Sequence, residues 1–262
     1  MKKNIFLGFA LTALLASCSQ SPKSISMTGV YSMDQAVVSD GTTETVTLAT
    51  EGNTQFKMYT PESYFFIYQA KDSSVGFGLG SYTFADGKVV ETNIFNTNTL
   101  DSTQVANLEI AQTDKGYTQT IPELTLNGKK WNLKETYTSI AASGTSQLDG
   151  VWHQTKSINV TGQDSVVNTY NEYKIYHAGH FMWAARFLAD TTSTTYTKAI
   201  GQGTFTLNNN DLTEDLTFTS NKAWAGKYNI PVTFNGADEF TQTIVDTVNK
   251  VTSIKTYKRV SK

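Results

Sequence analysis

Apolar and polar residues alternate along many short runs of this chain, which is the pattern of strands whose side chains point in turn to the two faces of a sheet. The clearest run extends from His180 to Leu188. One of its faces is mostly aromatic and consists of Phe181, Trp183, Ala185 and Phe187. The opposite face consists of Met182, Ala184, Arg186 and Leu188. We expect the aromatic face to point into the protein and the other face to form an exterior surface or a seam.

The aromatic run lies in a stretch that occurs twice in the chain. Residues 56–66 read FKMYTPESYFF and residues 173–183 read YKIYHAGHFMW, with a lysine and a tyrosine at matching positions. Further matches follow in the same order: Gly78-Leu79-Gly80 with Gly201-Gln202-Gly203, Glu91 with Glu214, Phe95 with Phe218, and residues 124–128 with residues 232–236. The paired glycines lie inside predicted strands, where a missing side chain lets a strand bend or lets a neighbour approach its backbone. The ordered matches indicate a tandem duplication.

The second copy contains eight strand-like runs separated by turn signals such as Asn235-Gly236. The runs are 151–160, 166–177, 180–188, 196–207, 212–219, 228–234, 239–245 and 251–260, and one helical turn is expected at 220–226. Sequential strands joined by short turns predict an up-and-down antiparallel meander, which removes its free edges by closing into a barrel. The predicted fold class is therefore all-β, with two tandem eight-stranded up-and-down antiparallel β-barrels.

The first twenty residues differ in composition from the rest of the chain. They contain two lysines, an apolar run and then Leu15-Ala16-Ser17-Cys18. This order is typical of a lipoprotein signal peptide. A membrane-spanning helix is not expected, because the apolar run of about 12 residues is shorter than the roughly 20 residues that a span needs. Cys18 is the only cysteine of the chain, so we predict that it carries the lipid and expect no disulfide.

These features divide the chain into consecutive parts. The predicted parts are a signal peptide at 1–18, a tether at 19–27, a first barrel at 28–140, a linker at 141–148 and a second barrel at 149–262. A lipid on Cys18 would attach the protein to a membrane of the cell envelope. By resemblance to the sorting of enterobacterial lipoproteins, the serine that follows favours the outer membrane. The net charge of −2 gives no footprint for nucleic acid.

Few residues suggest catalysis or metal binding. The sequence contains no nucleophile elbow, metal-binding helix or glycine-rich phosphate loop, so we expect no catalytic residue and no cofactor. His177 and His180 flank a turn, but their equivalents in the first copy are Thr60 and Ser63. The sequence places no third ligand nearby, so we expect no metal.

Two charged positions allow two interpretations each. Glu214, which recurs as Glu91, is either solvated on the barrel exterior or hydrogen-bonded inside it, where it would be a polar anchor in an apolar cavity. Arg186 would hold a carboxylate head group if its face points inward. It would be an exterior or seam residue if its face points outward, and we favour this second interpretation.

Gly150-Val151-Trp152 opens the second copy, and Arg259 lies in its last predicted strand. This pairing resembles the lipocalin signature, in which a G-x-W tryptophan is covered by an arginine of the final strand. Both copies are also similar to the lipocalin-like domains of Bacteroidetes lipoproteins, on the residues YKIYHAGHFMW, GQGTFTL, Glu214 and the closing YKRV. The resemblance implies tandem calycin-type barrels that hold a small, mostly apolar molecule, with no common catalytic residue.

The first copy lacks both members of the tryptophan–arginine pair. Tyr31 replaces the tryptophan, and residues 137–140 contain no arginine. Because an unpaired buried guanidinium is costly, the joint loss indicates a real stacking contact in the second copy. We therefore predict that Trp152 and Arg259 form a structural plug and not a ligand site.

The sequence predicts a lipid-anchored envelope protein that binds a small apolar or amphipathic ligand in its second barrel. Candidates for ligand contacts are Tyr176, Phe181, Trp183, Arg186, Phe187 and Glu214. Two alternatives stay open: an interaction or glycan-binding module of an envelope complex, with a protein partner, and an enzyme that uses the lipocalin fold. We expect contact with the membrane only through the N-terminal lipid.

Overall fold

The computed structural model describes residues 26–97, 104–126, 128–168, 170–188 and 196–260. Within these ranges it contains eighteen strands and two short 3-10 turns, Ala49–Glu51 and Lys222–Trp224. The second turn lies inside 220–226, where the sequence predicts one helical turn. The predicted signal peptide, Cys18 and most of the tether lie outside the described residues.

The first half of the chain folds into barrel 1. Its strands are β1 (Gly29–Ser39), β2 (Glu44–Leu48), β3 (Thr54–Tyr59), β4 (Ser63–Gln69), β5 (Val75–Ala85), β6 (Lys88–Asn96), β7 (Gln104–Gln112), β8 (Gly116–Leu126) and β9 (Lys129–Ile140). From β3 to β9, consecutive strands pair antiparallel, and β1 pairs with both β3 and β9 to close the barrel. β2 is an additional strand that pairs with the second half of β1.

The second half folds into barrel 2 with the same strand order. Its strands are β10 (Gly150–Thr161), β11 (Asp164–Val167), β12 (Tyr170–His177), β13 (His180–Leu188), β14 (Tyr196–Asn208), β15 (Asp211–Thr219), β16 (Gly226–Phe234), β17 (Glu239–Asp246) and β18 (Val251–Arg259). The prediction of two tandem eight-stranded antiparallel barrels is confirmed, and β2 and β11 are the additional strands. The predicted run 166–177 is interrupted, because Val166 and Val167 pair with β10 as part of β11.

Two of the glycines inside strands mark a bulge at the same place in each barrel. The pairing register shifts between Leu79 and Gly80 in β5, and between Gln202 and Gly203 in β14. A Cβ atom on Gly203 would lie 1.9 Å from the backbone oxygen of Asp215. Only glycine therefore allows β15 to approach this closely, and of the two roles predicted for these glycines, close approach to the backbone is confirmed.

One match used to align the two copies is wrong. Residues 124–126 end β8, whereas residues 232–234 end β16, which is the counterpart of β7. Asn-Gly pairs recur at many hairpins because they suit tight turns, so this match joins two hairpins that are not equivalent. The true counterpart of β8 is β17, so Gln119 and Gln242 occupy equivalent positions in the two copies.

The barrels pack against each other through an apolar seam. We define the seam by its buried residues: Val30, Met58, Phe65, Ile67, Phe77, Leu79 and Phe95 of barrel 1, with Val151, Ile175, Met182, Ala184 and Ile200 of barrel 2. β4 and β5 of barrel 1 contact β13 and β14 of barrel 2. Equivalent strands of the two copies thus form the seam, which resembles the isologous interface of a two-fold dimer.

The position of Arg186 follows from its place on β13. Because side chains alternate along a strand, Arg186 shares a face with Met182 and Ala184, and that face forms the seam. Its Nη1 donates a hydrogen bond of 3.0 Å to the backbone oxygen of Asn96 in barrel 1. Arg186 is therefore a contact between the barrels, which agrees with the interpretation that the sequence favoured, and its role as a ligand-binding candidate stays an untested prediction.

Candidate functional site

Barrel 2 contains a cavity of about 800 Å³ beside the β17–β18 hairpin, where Val248 is exposed. Its wall is largely aromatic and consists of Tyr170, Trp183, Phe187, Trp224 and Tyr228. The rings of Trp183 and Trp224 contact each other, with centroids 6.1 Å apart. Further apolar lining residues are Ala185, Ala199, Leu216, Ile230 and Ile244. The cavity thus offers an extended apolar surface.

The floor of this cavity is polar. We define the floor cluster by five lining residues: Glu172, Lys174, Glu214, Gln242 and Lys255. Lys174 Nζ lies 2.9 Å from Glu214 Oε1 and 3.3 Å from Gln242 Oε1. Tyr176 donates a hydrogen bond of 2.5 Å to Glu214. Glu214 therefore points into the barrel, as one of its two interpretations from sequence required.

A second ion pair completes the floor cluster. Lys255 Nζ lies 2.8 Å from Glu172 Oε2, and Tyr257 donates a hydrogen bond of 2.5 Å to Glu172 Oε1. Burial alone would raise the pKa of Glu172, but the charges of Lys255 and Lys174 and the hydrogen bonds from Lys255 and Tyr257 lower it overall. The floor cluster thus combines two lysines with two glutamates in two buried ion pairs.

Barrel 1 contains the first of these ion pairs but not the second. Lys57 Nζ lies 2.7 Å from Glu91 Oε1, and Tyr59 donates a hydrogen bond of 2.5 Å to the same oxygen. Lys57 also donates to Gln119 Oε1 over 3.0 Å. The same four residue types therefore occupy equivalent positions in both barrels. Because both barrels share this arrangement, we assign it a structural role in the barrel interior. The arrangement alone does not identify a ligand site in barrel 2.

Gln55 and Glu135 occupy the positions in barrel 1 that correspond to Glu172 and Lys255 in barrel 2. Glu135 accepts hydrogen bonds of 3.1 Å from Gln55 and from Tyr137. Burial raises the pKa of Glu135, although the charge of the buried lysine and the hydrogen bonds oppose this shift. The two barrels thus differ in this part of the interior, where the ion pair of barrel 2 is replaced in barrel 1 by a glutamine and a glutamate.

Trp152 and Arg259 contact each other as the sequence suggested. The guanidinium carbon of Arg259 lies 4.1 Å from the centroid of the Trp152 ring. Trp152 Nε1 donates a hydrogen bond of 2.7 Å to the backbone oxygen of Leu148. Arg259 donates to the backbone oxygens of Asp149 and Gln147 over 2.7 and 2.9 Å. The arginine thus fixes the end of the linker over the tryptophan.

This contact lies at the far end of the barrel from the cavity. β18 carries Ser253 and Lys255 at the cavity and ends with Arg259. In barrel 1, Tyr31 takes the tryptophan position and donates to the backbone oxygen of Met27 over 3.1 Å, with Ser139 opposite it in register. The role of Trp152 and Arg259 as a plug remains a prediction, which mutagenesis can test.

The structure separates the remaining candidates into two groups. Trp183, Phe187 and Glu214 line the cavity. Tyr176 and Phe181 are fully buried in the core of barrel 2, where their rings stack with centroids 6.0 Å apart. These two residues therefore shape the interior behind the floor cluster.

Several lining residues were missed by reasoning from the sequence. They include Ala185, Glu172, Lys174, Gln242 and Lys255. Lys174 offered a signal, because a lysine recurs at this position of the duplicated stretch in the middle of an apolar strand. The wrong hairpin match prevented the alignment of Gln242 with its equivalent in the first copy. Ala185 gave no signal, because an alanine is informative only when the residue at the equivalent position is known.

The three histidines do not form a metal site. The ring of His153 pairs with Asn171 over 3.1 Å, and His180 pairs with a backbone oxygen of the linker over 2.9 Å. His177 lies 3.9 Å from a carboxylate oxygen of Asp149. Within the described ranges, no group of three or more histidine, cysteine, aspartate or glutamate side chains is arranged to hold a metal ion.

Comparisons with known proteins place the chain only loosely. No family model matches it, and no curated protein matches its sequence. The solved structures that are similar to this chain include the following three. A protein of unknown function from the DUF3598 family of Nostoc punctiforme PCC 73102 has 10% identity and a TM-score of 0.27, over 89% of this chain and 96% of that one.

The other two structures are binding proteins by name. A variant of transferrin binding protein B from Haemophilus parasuis Hp5 has 11% identity and a TM-score of 0.25, over 79% of this chain and 54% of that one. The N-lobe domain of lactoferrin binding protein B from Moraxella bovis has 6% identity and a TM-score of 0.27, over 89% and 100%. This chain spans about half of the first of these. Similarity at this level carries no argument about function.

In the part of the chain that is described, no helix is long and apolar enough to cross a membrane.

Proposed function

We propose that this protein binds a small amphipathic molecule in the cavity of barrel 2. The observation that carries the proposal is the exchange of one side chain between the copies. Ala185 of β13 lines the cavity, whereas Tyr68 occupies the equivalent position of β4. The registers agree, because Ala185 faces Ala199 on the next strand and Tyr68 faces Gly76.

Tyr68 places a phenol ring beside β5, where barrel 2 has only the methyl group of Ala185. Its Cδ1 lies 3.6 Å from the position that a Cβ atom on Gly76 would occupy. Burial, together with the charges of Asp72 and Glu135, raises the pKa of Tyr68. Replacing this ring by the methyl group of Ala185 leaves room above the floor cluster.

The remaining lining fits an amphipathic molecule. Small-molecule sites are usually apolar cavities of about 300–1,000 Å³ with a few polar groups that fix the orientation of the ligand. The aromatic wall would contact the apolar part of the ligand, and the floor cluster would face its polar end. This arrangement supports binding of one molecule whose polar group enters the barrel first.

The proposal is tested by exchanging the two side chains. Ala185→Tyr should weaken binding of the neutral dye Nile red by about tenfold or more, because a clash of only about 1.4 kcal/mol corresponds to a factor of ten. The matched variant Tyr68→Ala should leave the affinity of barrel 2 unchanged. Binding is measured by the rise in Nile red fluorescence, and thermal melting shows that each variant is folded.

Undiminished dye binding in a folded Ala185→Tyr variant would show that the cavity is not the site. Native mass spectrometry of the protein purified from its own host provides an independent measurement. A co-purifying small molecule that is present in the wild type and absent from Ala185→Tyr is the expected result.

Anchoring to the envelope is part of the proposal and rests on the sequence of the first eighteen residues. A single lipid on Cys18 would hold the protein on a membrane, with the outer membrane as the expected location. Cys18→Ser should therefore release the protein into the soluble fraction after export. A variant that still sediments with membranes would contradict lipid attachment at Cys18.

Binding is better supported than the enzyme alternative. A catalytic glutamate needs access to its substrate, but the oxygens of Glu214 already accept hydrogen bonds from Lys174 and Tyr176. The same arrangement recurs around Glu91 in barrel 1. We therefore assign Glu214 a structural role beneath the ligand.

A further inference from the structure

We infer that the ligand of barrel 2 has an uncharged polar group whose oxygen accepts a hydrogen bond from the side-chain amide of Gln242. This inference rests on the proposed function and specifies the chemistry of the molecule bound. It follows from a comparison of Gln242 with its counterpart Gln119, and from the charges that surround Gln242.

In barrel 1, both ends of the Gln119 side chain have partners. Its Oε1 accepts a hydrogen bond from Lys57, and its Nε2 donates to Glu135. Glu135 lies directly opposite Gln119 in the pairing of β8 with β9. The amide oxygen of Gln119 thus faces a cation, and its amide N–H group faces a carboxyl group.

In barrel 2, the residue opposite the glutamine has changed. Gln242 faces Lys255 in the pairing of β17 with β18. Its Oε1 accepts from Lys174 as in barrel 1, but its Nε2 donates to no atom of the described residues, although Gln242 is fully buried. The carboxyl group that accepts this hydrogen bond in barrel 1 is therefore replaced by a cation, which cannot accept it.

The orientation of the Gln242 amide is fixed by its neighbour. Exchanging Oε1 and Nε2 would direct an N–H group at the ammonium group of Lys174, which has only donors. The Nε2 group must therefore be the end without a protein partner. Gln242 lines the cavity and its Nε2 group is buried in the unliganded protein, so a ligand oxygen reaches this group by displacing the side chains that cover it, and it then takes the role that the Glu135 carboxyl group has in barrel 1.

The surrounding charges exclude a cationic head group. Glu172 accepts through one oxygen from Tyr257 and through the other from Lys255. Both oxygens of Glu214 accept from Lys174. Each of the four carboxylate oxygens of the floor cluster thus already has a donor, and each glutamate is neutralised by a lysine, so a ligand ammonium group would add a buried charge that nothing balances.

The same charges disfavour an anionic head group. The two lysines of the floor cluster are paired with its two glutamates, so an anion would add a buried charge that nothing balances. An alcohol, ester, ketone or amide oxygen satisfies Gln242 without this penalty.

Four compounds that share one alkyl chain test the inference at pH 7. Methyl dodecanoate offers only acceptors, dodecanol offers a donor and an acceptor, dodecanoate is an anion and dodecylamine is a cation. Each compound displaces Nile red from the purified wild-type protein. We expect methyl dodecanoate and dodecanol to bind about tenfold or more tightly than the two ions, since an unbalanced buried charge is costly.

The substitution Gln242→Glu separates the hydrogen bond from general effects on the cavity. It keeps an acceptor for Lys174 and exchanges the N–H donor for an oxygen of similar size. Binding of methyl dodecanoate should fall by about threefold to tenfold, the equivalent of one hydrogen bond. Binding of dodecanol should change less, because its hydroxyl group can donate to the new carboxylate, and this also shows that the variant is folded.

Three results would overturn the inference. They are tighter binding of dodecanoate than of the ester, tighter binding of dodecylamine than of the ester, and ester binding that is unchanged in Gln242→Glu. If Ala185→Tyr abolishes binding of all four compounds while one of these results is found, only the polar group has been misassigned. If Ala185→Tyr changes nothing, the proposed function fails together with the inference.

Discussion

Lys57 and Lys174 are each buried in a barrel interior and paired with one glutamate. Removing one partner of a buried ion pair is destabilising by about 3–5 kcal/mol, because the other charge stays buried without compensation. Glu214→Gln is therefore a poor probe of binding, although Glu214 lines the cavity. It should destabilise barrel 2 by leaving Lys174 without its carboxylate. Trp183, which carries no charge, is the better probe.

The contact between Trp152 and Arg259 predicts a stability effect without an effect on binding. Trp152→Ala should destabilise the protein by about 3–5 kcal/mol, as large aromatic truncations in a core do. Arg259→Met should cost less in the Trp152→Ala background than in the wild type, because the stacking contact is already lost. Denaturant unfolding of the two single variants and the double variant measures this coupling.

Nile red binding by the same variants separates the plug from the pocket. At a temperature where Trp152→Ala is folded, its affinity should equal that of the wild type. Trp183→Ala should weaken dye binding and lower the melting temperature less, because Trp183 lines the cavity and is not fully buried. Loss of binding in Trp152→Ala together with loss of stability in Trp183→Ala would reverse the assignment of the two barrel ends.

Two buried glutamates should give the two barrels opposite responses to pH. Burial raises the folded pKa of Glu135 above its unfolded value of about 4.3. Its contribution to stability is therefore complete below that value and is lost as pH rises through the folded pKa. The folded pKa of Glu172 is lowered, so its contribution is present above about 4.3 and is lost as pH falls through the folded pKa.

Glutamine substitutions test this difference between the barrels. Glu135→Gln should remove the part of the decline in stability that occurs as pH rises above about 4.3, with about 1.4 kcal/mol for each unit by which the folded pKa is raised. Glu172→Gln should lower stability at neutral pH and change it less in acid. Melting temperatures measured across this pH range report both effects. Identical pH profiles for the two variants would contradict the assignment.

At the scale of elements, the strands themselves were largely predictable. The alternation along β13 separated the face of Phe181 and Trp183 from the face of Met182 and Ala184, and the structure places these faces in the barrel interior and in the seam. The bulge at Gly203 was also indicated, because a glycine inside a strand permits close approach of a neighbouring backbone. Each of these features depends on residues that are near one another in sequence.

Features that depend on pairing across the barrel were not predictable. The sequence did not place Arg186 on the seam with certainty, because alternation fixes which residues share a face but not what covers it. Asn-Gly turns led to a wrong alignment of β8, which concealed the equivalence of Gln119 and Gln242. The strand registers show that Ala185 and Tyr68 occupy equivalent positions in the two barrels. The sequence alone does not show this equivalence, so the importance of Ala185 was not predictable.

At the scale of the whole molecule, the seam joins the barrels into one folding unit more closely than the duplication alone suggests. The sequence predicts that a barrel of about 110 residues carries its own core and folds alone. Barrel 2 does have a separate core around Trp152 and Phe240. However, Ile175, Met182 and Ile200 are fully buried in the seam, and an isolated barrel 2 would expose them to water.

A fragment of residues 149–262 should therefore fold and also self-associate. The seam is formed by equivalent strands of two related barrels, so two copies of barrel 2 can pair through β13 and β14 about a two-fold axis. We expect the fragment to unfold cooperatively at a lower temperature than the full chain and to sediment as a dimer. Analytical ultracentrifugation over a range of concentrations measures this association.

A charged substitution in the seam face of the fragment should distinguish specific dimerisation through that face from nonspecific association. Ala184→Asp places a carboxylate within the apolar face, where two copies would bring like charges together without a partner. The fragment with this substitution should be monomeric and should still unfold cooperatively. Val167→Asp is the matched control, because Val167 is 72% exposed on β11 and lies outside the seam. A fragment without a cooperative transition would contradict the boundary between the barrels, and a dimer unaffected by Ala184→Asp would show that another surface mediates association.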